Sequence, residues 1–144
     1  MKDTRLEGVL YYLLEKANKM GRRYAQRVFD EEGLDITKDQ WLVLKVIADN
    51  ERTSQVALAT TLFKDTAAIN RILNLMEGKN LIKRLTNTTD KRQVELVLTG
   101  KGQNLYKRLL PKVVEIRRKG VEGMTAEEID QLSNLLNKMI RNLT

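Results

Sequence analysis

Apolar residues recur at helical spacing along most of the chain. In the first segment, from Arg5 to Asp30, they stand three or four positions apart, and the resulting face comprises Leu6, Leu10, Leu13, Ala17, Met20 and Tyr24. This spacing predicts one long amphipathic helix. A small chain offers little to cover so long an apolar face, so we expect a second subunit to cover it. An amphipathic helix packed on its own core would give the same pattern.

The second predicted helix begins at a capping box. Gly33 can take the positive φ that ends the first helix. Thr37 and Gln40 then have the spacing at which each side chain bonds to the other residue's backbone amide. The apolar side of this helix is expected to be buried and comprises Trp41, Leu44, Val46, Ile47 and Ala48.

Two more helices follow, joined by a tight turn at Phe63-Lys64. The residues able to cap their first turns are Thr53 or Ser54 for the third helix and Asp65 or Thr66 for the fourth. The side chains expected to be buried are Val56, Leu58, Ala59 and Leu62 in the third helix and Ile69, Ile72, Leu73 and Met76 in the fourth.

Two short runs with period-two alternation come after the fourth helix. The runs Leu81–Thr86 and Gln93–Leu98 flank a polar tip at residues 87–92, so they predict a β-hairpin. Asp90 is expected to fix the turn or to pair with Arg92 or Arg84. Two helices joined by a turn and followed by such a hairpin form a winged helix-turn-helix, which places its second helix in the major groove of DNA.

The remainder of the chain is helical again. One helix starts at Gly100, and Pro111 is expected to bend or interrupt it. Residues 120–124 break the pattern, and a capping box of Thr125 and Glu128 begins the last helix. Its apolar face comprises Ile129, Leu132, Leu136, Met139 or Ile140, and Leu143. The predicted fold is therefore mainly α, with a small β-hairpin wing and dimerisation helices at both ends that interdigitate with their copies.

Charge and composition narrow the function. The chain has 26 Lys and Arg against 19 Asp and Glu, a net charge of +7 and a pI of about 9.7, which favours polyanionic partners. Cysteine and histidine are absent, which excludes disulfides, zinc sites built from them, and Ser-His-Asp or Cys-His catalysis. The carboxylates lack metal-ligand spacing, so we expect no enzyme, bound metal or cofactor. No apolar run is long enough to span a bilayer and no signal peptide is recognised, so we expect a cytoplasmic protein.

The N-terminal end of the fourth helix carries the candidate residues for contacts to DNA bases. Its largely outward side chains are Thr66, Ala67, Ala68, Asn70 and Arg71. Asn70 can form a bidentate pair with adenine, Arg71 can bind guanine or a phosphate, and the two alanines allow close approach to thymine methyls. The hairpin tip adds Lys91 and Arg92, which could lie in the neighbouring minor groove. The alternative, that Asn70 and Arg71 are ordinary surface residues of a core helix, does not account for the hairpin that follows.

Three stretches of the chain carry motifs of a known family. They are Gly33-Leu34 with Thr37-x-x-Gln40-Trp41-x-Val43-Leu44, then Leu58-Ala59 with Met76-Glu77-x-Lys79-Asn80-Leu81-Ile82-x-Arg84, and finally Asp90-Lys91-Arg92 with Leu98-Thr99-x-x-Gly102. With the order of the elements, they resemble the multiple-antibiotic-resistance regulator (MarR) family of bacterial transcription factors over nearly the whole chain. Asn80 stands where the family usually has glycine, but asparagine also tolerates the left-handed conformation, so the turn is expected to survive. Gly78 is expected to loosen the end of the fourth helix, and the sensing cysteine of the peroxide-responsive branch has no counterpart.

The resemblance implies a homodimer that binds a pseudo-palindromic operator, often as a repressor that releases DNA when an aromatic or phenolic effector binds. It implies a DNA-binding lobe at residues 34–99 and a dimerisation lobe built from residues 1–32 and 100–144. In such a subunit the major groove would be contacted by Thr66, Ala67, Asn70 and Arg71, and the minor groove by Arg92. Asp90 would shape the wing. An effector pocket would lie between the two lobes, near Tyr12, Met20, Tyr24 and Trp41, although these side chains could equally fill the core. A non-catalytic interaction adaptor built on the same fold is the alternative function.

Overall fold

A computed structural model describes residues 5–86, 89–90 and 92–144 of the chain. After a 3₁₀ turn at Leu6–Gly8, the elements in order are α1 (Leu10–Glu31), α2 (Lys38–Asn50), β1 (Thr53–Ser54), α3 (Gln55–Thr61), α4 (Thr66–Gly78), β2 (Ile82–Thr86), β3 (Val94–Leu98), α5 (Gly100–Gly120) and α6 (Ala126–Leu143). This is the predicted winged helix-turn-helix between terminal helices. In the part of the chain that the structure describes, no helix is both long and apolar enough to cross a membrane.

The first helix starts later than its apolar pattern predicts. A continuous helix from Arg5 was expected, but Val9 is extended, with φ −75° and ψ 121°, and separates the 3₁₀ turn from α1. Gly8 and Val9 are both weak helix formers, and no side chain caps the new start. The predicted N-terminus of this helix was therefore wrong by about one and a half turns.

The junction between α1 and α2 follows the prediction closely. Gly33 has a φ of +67°, and the Leu34 amide donates to the Phe29 carbonyl at 2.9 Å, which closes α1 with a left-handed cap. In the capping box of α2, the Gln40 amide donates to the Thr37 hydroxyl at 3.1 Å and the Thr37 amide donates to Gln40 Oε1 at 3.2 Å. These bonds fix the angle at which the helix-turn-helix leaves α1.

Two apolar residues of the helix-turn-helix are exposed, one in α3 and one in the turn. Val56 was expected to be buried, yet 77% of its surface is exposed, because it lies two residues from the buried Leu58 and so on the opposite side of α3. In the turn, Phe63 has a φ of +53° and is 97% exposed. Of the candidate caps, Ser54 accepts from the Ala57 amide and Asp65 from the Ala68 amide.

The wing belongs to a three-stranded antiparallel sheet with the order β1-β3-β2. The predicted hairpin is confirmed, with Ile82 opposite Leu98 and Thr86 opposite Val94. Its strands begin one residue later than predicted. The sequence did not predict β1, whose residues Thr53 and Ser54 pair with Leu96 and Glu95, because two residues are too few to show an alternation.

One buried core joins the helix-turn-helix to α1 and α5. It holds Phe29 of α1, Leu109 and Val113 of α5, and apolar residues of α2, α3, α4 and the sheet. Trp41 is fully buried, and its ring stacks on Tyr106 of α5 at a centroid distance of 5.4 Å. The core therefore fixes how α1 and α5 are placed relative to the helix-turn-helix.

The start of α5 is locked to the turn between α4 and β2. Asn80 takes the left-handed conformation expected of it, with a φ of +59°. The Thr99 hydroxyl donates to the Asn80 carbonyl at 2.6 Å and accepts from the Gly102 amide at 3.0 Å. A Cβ on Gly102 would lie 2.0 Å from the Leu81 carbonyl oxygen. Close packing against Leu81 therefore explains the glycine of the Leu-Thr-x-x-Gly motif. The helix that follows this motif, α5, continues through Pro111 without interruption.

Candidate nucleic-acid interface

The fourth helix presents its first two turns to the outside, as the sequence predicted. Ile69, Leu73 and Met76 are fully buried on its inner face. The candidate reading residues Thr66, Ala67 and Arg71 are exposed, and Ala68 and Asn70 are partly buried. The helix keeps its length to Gly78, which is its last residue.

An open groove of about 630 Å³ lies between α3, the first turn of α4 and the start of β3. It brings together two of the predicted DNA-binding residues, since both Thr66 and Arg92 line it. The sequence analysis missed the contribution of α3, whose Gln55, Val56 and Thr60 also line the groove. The spacing of Val56 and Thr60 by four residues on one helix face was the signal that could have revealed it.

The wing turn is held by Asp90. Its Oδ1 accepts from the Arg92 amide at 3.0 Å and its carbonyl accepts from the Gln93 amide at 3.0 Å. Fixing the turn was the first of the two tasks expected of Asp90. Arg92 is exposed at the end of that turn, while Lys91, the other candidate of the tip, lies outside the described residues.

Arg84 of β2 connects the wing to α4. Its guanidinium pairs with Glu77 and donates to Asn74 Oδ1 at 2.9 Å and to Asn70 Oδ1 at 3.4 Å. Asn70 Oδ1 also accepts from Gln55 Nε2. A chain of polar contacts therefore runs from α3 through α4 to the wing, and one of the predicted base readers is at its centre.

A second polar contact joins α1 to the turn of the helix-turn-helix. Asp39 of α2 pairs with Arg22 of α1 at 2.8 Å and with Lys64 of the turn at 3.3 Å. Burial raises the pKa of the Asp39 carboxyl, but the hydrogen bonds and charges of Arg22 and Lys64 outweigh it and lower the pKa below its usual value. The position of the DNA-facing turn is thus tied to the first helix.

The residues predicted to form an effector pocket lie on α1 and α2 in different surroundings. Trp41 fills the core, and Tyr12 and Tyr24 lie beside Lys16 and Arg27 of their own helix. Met20 is 45% exposed. None of these four lines the groove at α3 and α4, the cavity between α2, β3 and α5, or the cavity at the start of α2, so their role in effector binding stays a prediction.

Cationic side chains instead crowd the start of α2. A cavity of about 260 Å³ is lined by Arg22, Arg23, Gln26, Thr37, Lys38 and Asp39. Burial lowers the pKa of the Lys38 ammonium, and the charges of Arg117 and Arg22 lower it further. The Asp39 carboxylate opposes this lowering in part, and it already pairs with Arg22 in the same cavity.

Comparisons with known proteins agree on one family. The family model of the MarR family matches residues 36–94. The chain is 28% identical to the HTH-type transcriptional regulator MgrA of Staphylococcus aureus. The 134 aligned residues cover 93% of this chain and 88% of that protein. It is 30% identical over 106 residues to the homoprotocatechuate degradative operon repressor of Escherichia coli, covering 74% of this chain and 72% of that protein.

A solved structure extends the likeness to the whole subunit. A cysteine-to-serine mutant of E. coli MarR complexed with operator DNA has a TM-score of 0.85, with 28% identity, and covers 96% of this chain and 99% of that chain. A relative at 30% identity over most of its own length shows common descent. The chain therefore belongs to the MarR family, and it is a DNA-binding regulator of transcription rather than an enzyme.

Proposed function

We propose that the protein binds a pseudo-palindromic operator as a two-fold homodimer and represses the genes behind it. The observation that carries this proposal is the groove that is lined by both Thr66 of α4 and Arg92 of the wing. A helix for the major groove and a cation for the minor groove then approach DNA from the same side. An interaction adaptor is not favoured, because it would need no such pairing.

Apolar exposure supports the dimer. Leu10, Leu13 and Met20 of α1 are 41–46% exposed, and Leu132, Leu135, Ile140 and Leu143 of α6 are 46–71% exposed. A second copy would cover both helices by an isologous interface. The working division of the chain is thus a DNA-binding lobe at residues 34–99 and a dimerisation lobe formed by residues 1–32 and 100–144.

The contacts to DNA are assigned by position. Thr66, Ala67, Ala68, Asn70 and Arg71 would read the major groove, and Lys91 and Arg92 would enter the minor groove. Fluorescence anisotropy against salt concentration tests the wing, because each lost phosphate or groove cation lowers the salt slope by about one. Arg92→Ala should lower both affinity and slope, whereas Arg141→Ala, an exposed cation at the end of α6, should change neither. An unchanged slope for Arg92→Ala would remove that residue from the interface.

The cationic cavity at the start of α2 supports control by a small anionic aromatic effector. It is lined by residues of α1 and α2 and contains none of Tyr12, Met20, Tyr24 and Trp41, so it is a second candidate for the effector site. Titration with benzoate and 2-hydroxybenzoate should raise the melting temperature of the protein and weaken its hold on DNA, and Lys38→Met should abolish both effects. An equal response from Lys38→Met would place the effector elsewhere.

A bacterial regulator that acts on the chromosome works in the cytoplasm, and we assign the protein to that compartment. Fractionation of cells that express a tagged copy tests this, with a known cytoplasmic enzyme as the marker. Recovery of the protein with the membrane fraction would contradict it.

A further inference from the structure

Asn70 has the side chain with which the sequence predicted a bidentate contact to adenine. That contact needs both ends of the amide, since adenine N7 accepts from Nδ2 while adenine N6 donates to Oδ1. The structure determines which end of the Asn70 amide is still available.

The orientation of the amide is fixed by Arg84. A guanidinium can only donate hydrogen bonds, so the Asn70 atom that faces Arg84 Nη2 at 3.4 Å must be the oxygen. The same oxygen accepts from Gln55 Nε2. An amide oxygen has two lone pairs, and both of them are then engaged inside the protein.

The donors are themselves held in place. Arg84 is anchored by Glu77 and by Asn74 Oδ1, and only 23% of its side chain is exposed. Gln55 is the first residue of α3, directly after the Ser54 cap. The Asn70 side chain is therefore held by hydrogen bonds from both α3 and β2.

One atom of the amide remains available. Among the described residues, Asn70 Nδ2 has no hydrogen-bond partner, so its two N–H groups can meet a base. Building on the proposed function, we propose that Gln55 and Arg84 make Asn70 a donor-only reader that selects guanine, whose N7 and O6 both accept, over adenine. Gln55 and Arg84 are positioning residues, because they act on the base through Asn70.

The experiment is a selection of bound duplexes from a random pool. The wild type should give a preference at one base pair that Asn70→Ala erases, and that preference should be guanine over adenine by about 5- to 100-fold. Arg84→Met should release Oδ1 and move the preference at that pair toward adenine. Lys83→Met, the exposed neighbour on β2 that removes the same charge, should leave the base preference as it is.

Each result has a distinct meaning. Adenine at the pair erased by Asn70→Ala, or an unaltered preference in Arg84→Met, would overturn the inference while the proposed function stands. Failure of the wild type to select any duplex would overturn the proposed function, and this inference with it. If Arg84→Met does not fold, Gln55→Met withdraws the other donor and should shift the same base pair in the same direction.

Discussion

The two helices of the helix-turn-helix, α3 and α4, contribute Leu58, Ile69, Leu73 and Met76 to the buried core of their own chain, whereas α6 has no buried residue. The first half of α1 resembles α6 in having no buried residue, because the two buried residues of α1, Ala25 and Phe29, lie near the C-terminal end of that helix. The part that would read DNA is thus stable through contacts of its own subunit. The apolar residues of α1 and α6 recur as regularly as those of α3 and α4, but their faces are not covered by other elements of the same subunit. Under the proposed function, the shape of each reading helix is set by the fold of its own subunit, and the separation between two of them is set by the dimer interface.

The largest effect is expected where the end helices would meet their copies. Ile140 is 57% exposed on α6. Ile140→Glu should cost about 3–6 kcal/mol of dimerisation free energy, because an isologous interface loses the buried side chain twice. Analytical ultracentrifugation should then show monomers at concentrations where the wild type is dimeric. Asn134→Glu, at an exposed position on the opposite side of α6, should remain dimeric, and dimers in both variants would contradict this interface.

The next effect concerns the joint between the two regions. Gly102→Ala places a methyl group against the Leu81 carbonyl and should lower the free energy of unfolding by about 3 kcal/mol. Gly100→Ala is the matched control, since a Cβ at that helical position meets nothing within 4 Å. Urea denaturation compares the two variants. Equal stability of the two would show that α5 can move away from the turn without loss.

The features that could be predicted from the sequence are those that local chemistry determines. Local chemistry determines the capping boxes at Thr37 and Thr125 and the left-handed Gly33 and Asn80, and all four follow from the sequence. The positions that escaped prediction depend on contacts between distant parts of the chain. The pairing of β1 with β3 and the grip of Gln55 and Arg84 on Asn70 are of this kind. What covers the apolar face of α6 is, under the proposed function, a second subunit, and its contacts cannot be derived from one chain.

A smaller effect is expected from the link between α1 and the DNA-facing turn. The pKa of Asp39 is lowered in the folded state, so its contribution to stability is present above its unfolded value of about 3.8 and disappears as the pH falls through the lower folded value. The paired side chains are 23–39% exposed, so solvent weakens the contribution to about 1 kcal/mol at neutral pH. Asp39→Asn should therefore be less stable than the wild type at pH 7, and the difference should disappear as the pH falls below the folded pKa of Asp39.

Urea melts at a series of pH values test this, with Asp130→Asn as the control. Asp130 is an exposed carboxylate of α6 with no ion pair among the described residues. A stability difference between Asp39→Asn and the wild type that does not change with pH would contradict the assignment to charge.

The smallest effect is expected at Phe63, where the turn uses an aromatic residue in a left-handed conformation. Since the ring is 97% exposed, its removal loses little burial. Phe63→Asn should gain about 0.5–1 kcal/mol, because asparagine tolerates this conformation as Asn80 does. Phe63→Ala removes the same ring and keeps the backbone penalty, so it should gain nothing. Loss of stability in both variants would show that the ring packs in the folded protein.

The spacing of operator half-sites tests the central claim most directly. The selected operator should be two-fold symmetric, with half-site centres about 10–10.5 base pairs, or 34–36 Å, apart. Inserting five base pairs between the half-sites turns one of them to the opposite side of the duplex, so we expect binding to fall to the level of a single half-site. Affinity that is indifferent to this insertion would contradict an interface that sets the distance between two reading helices.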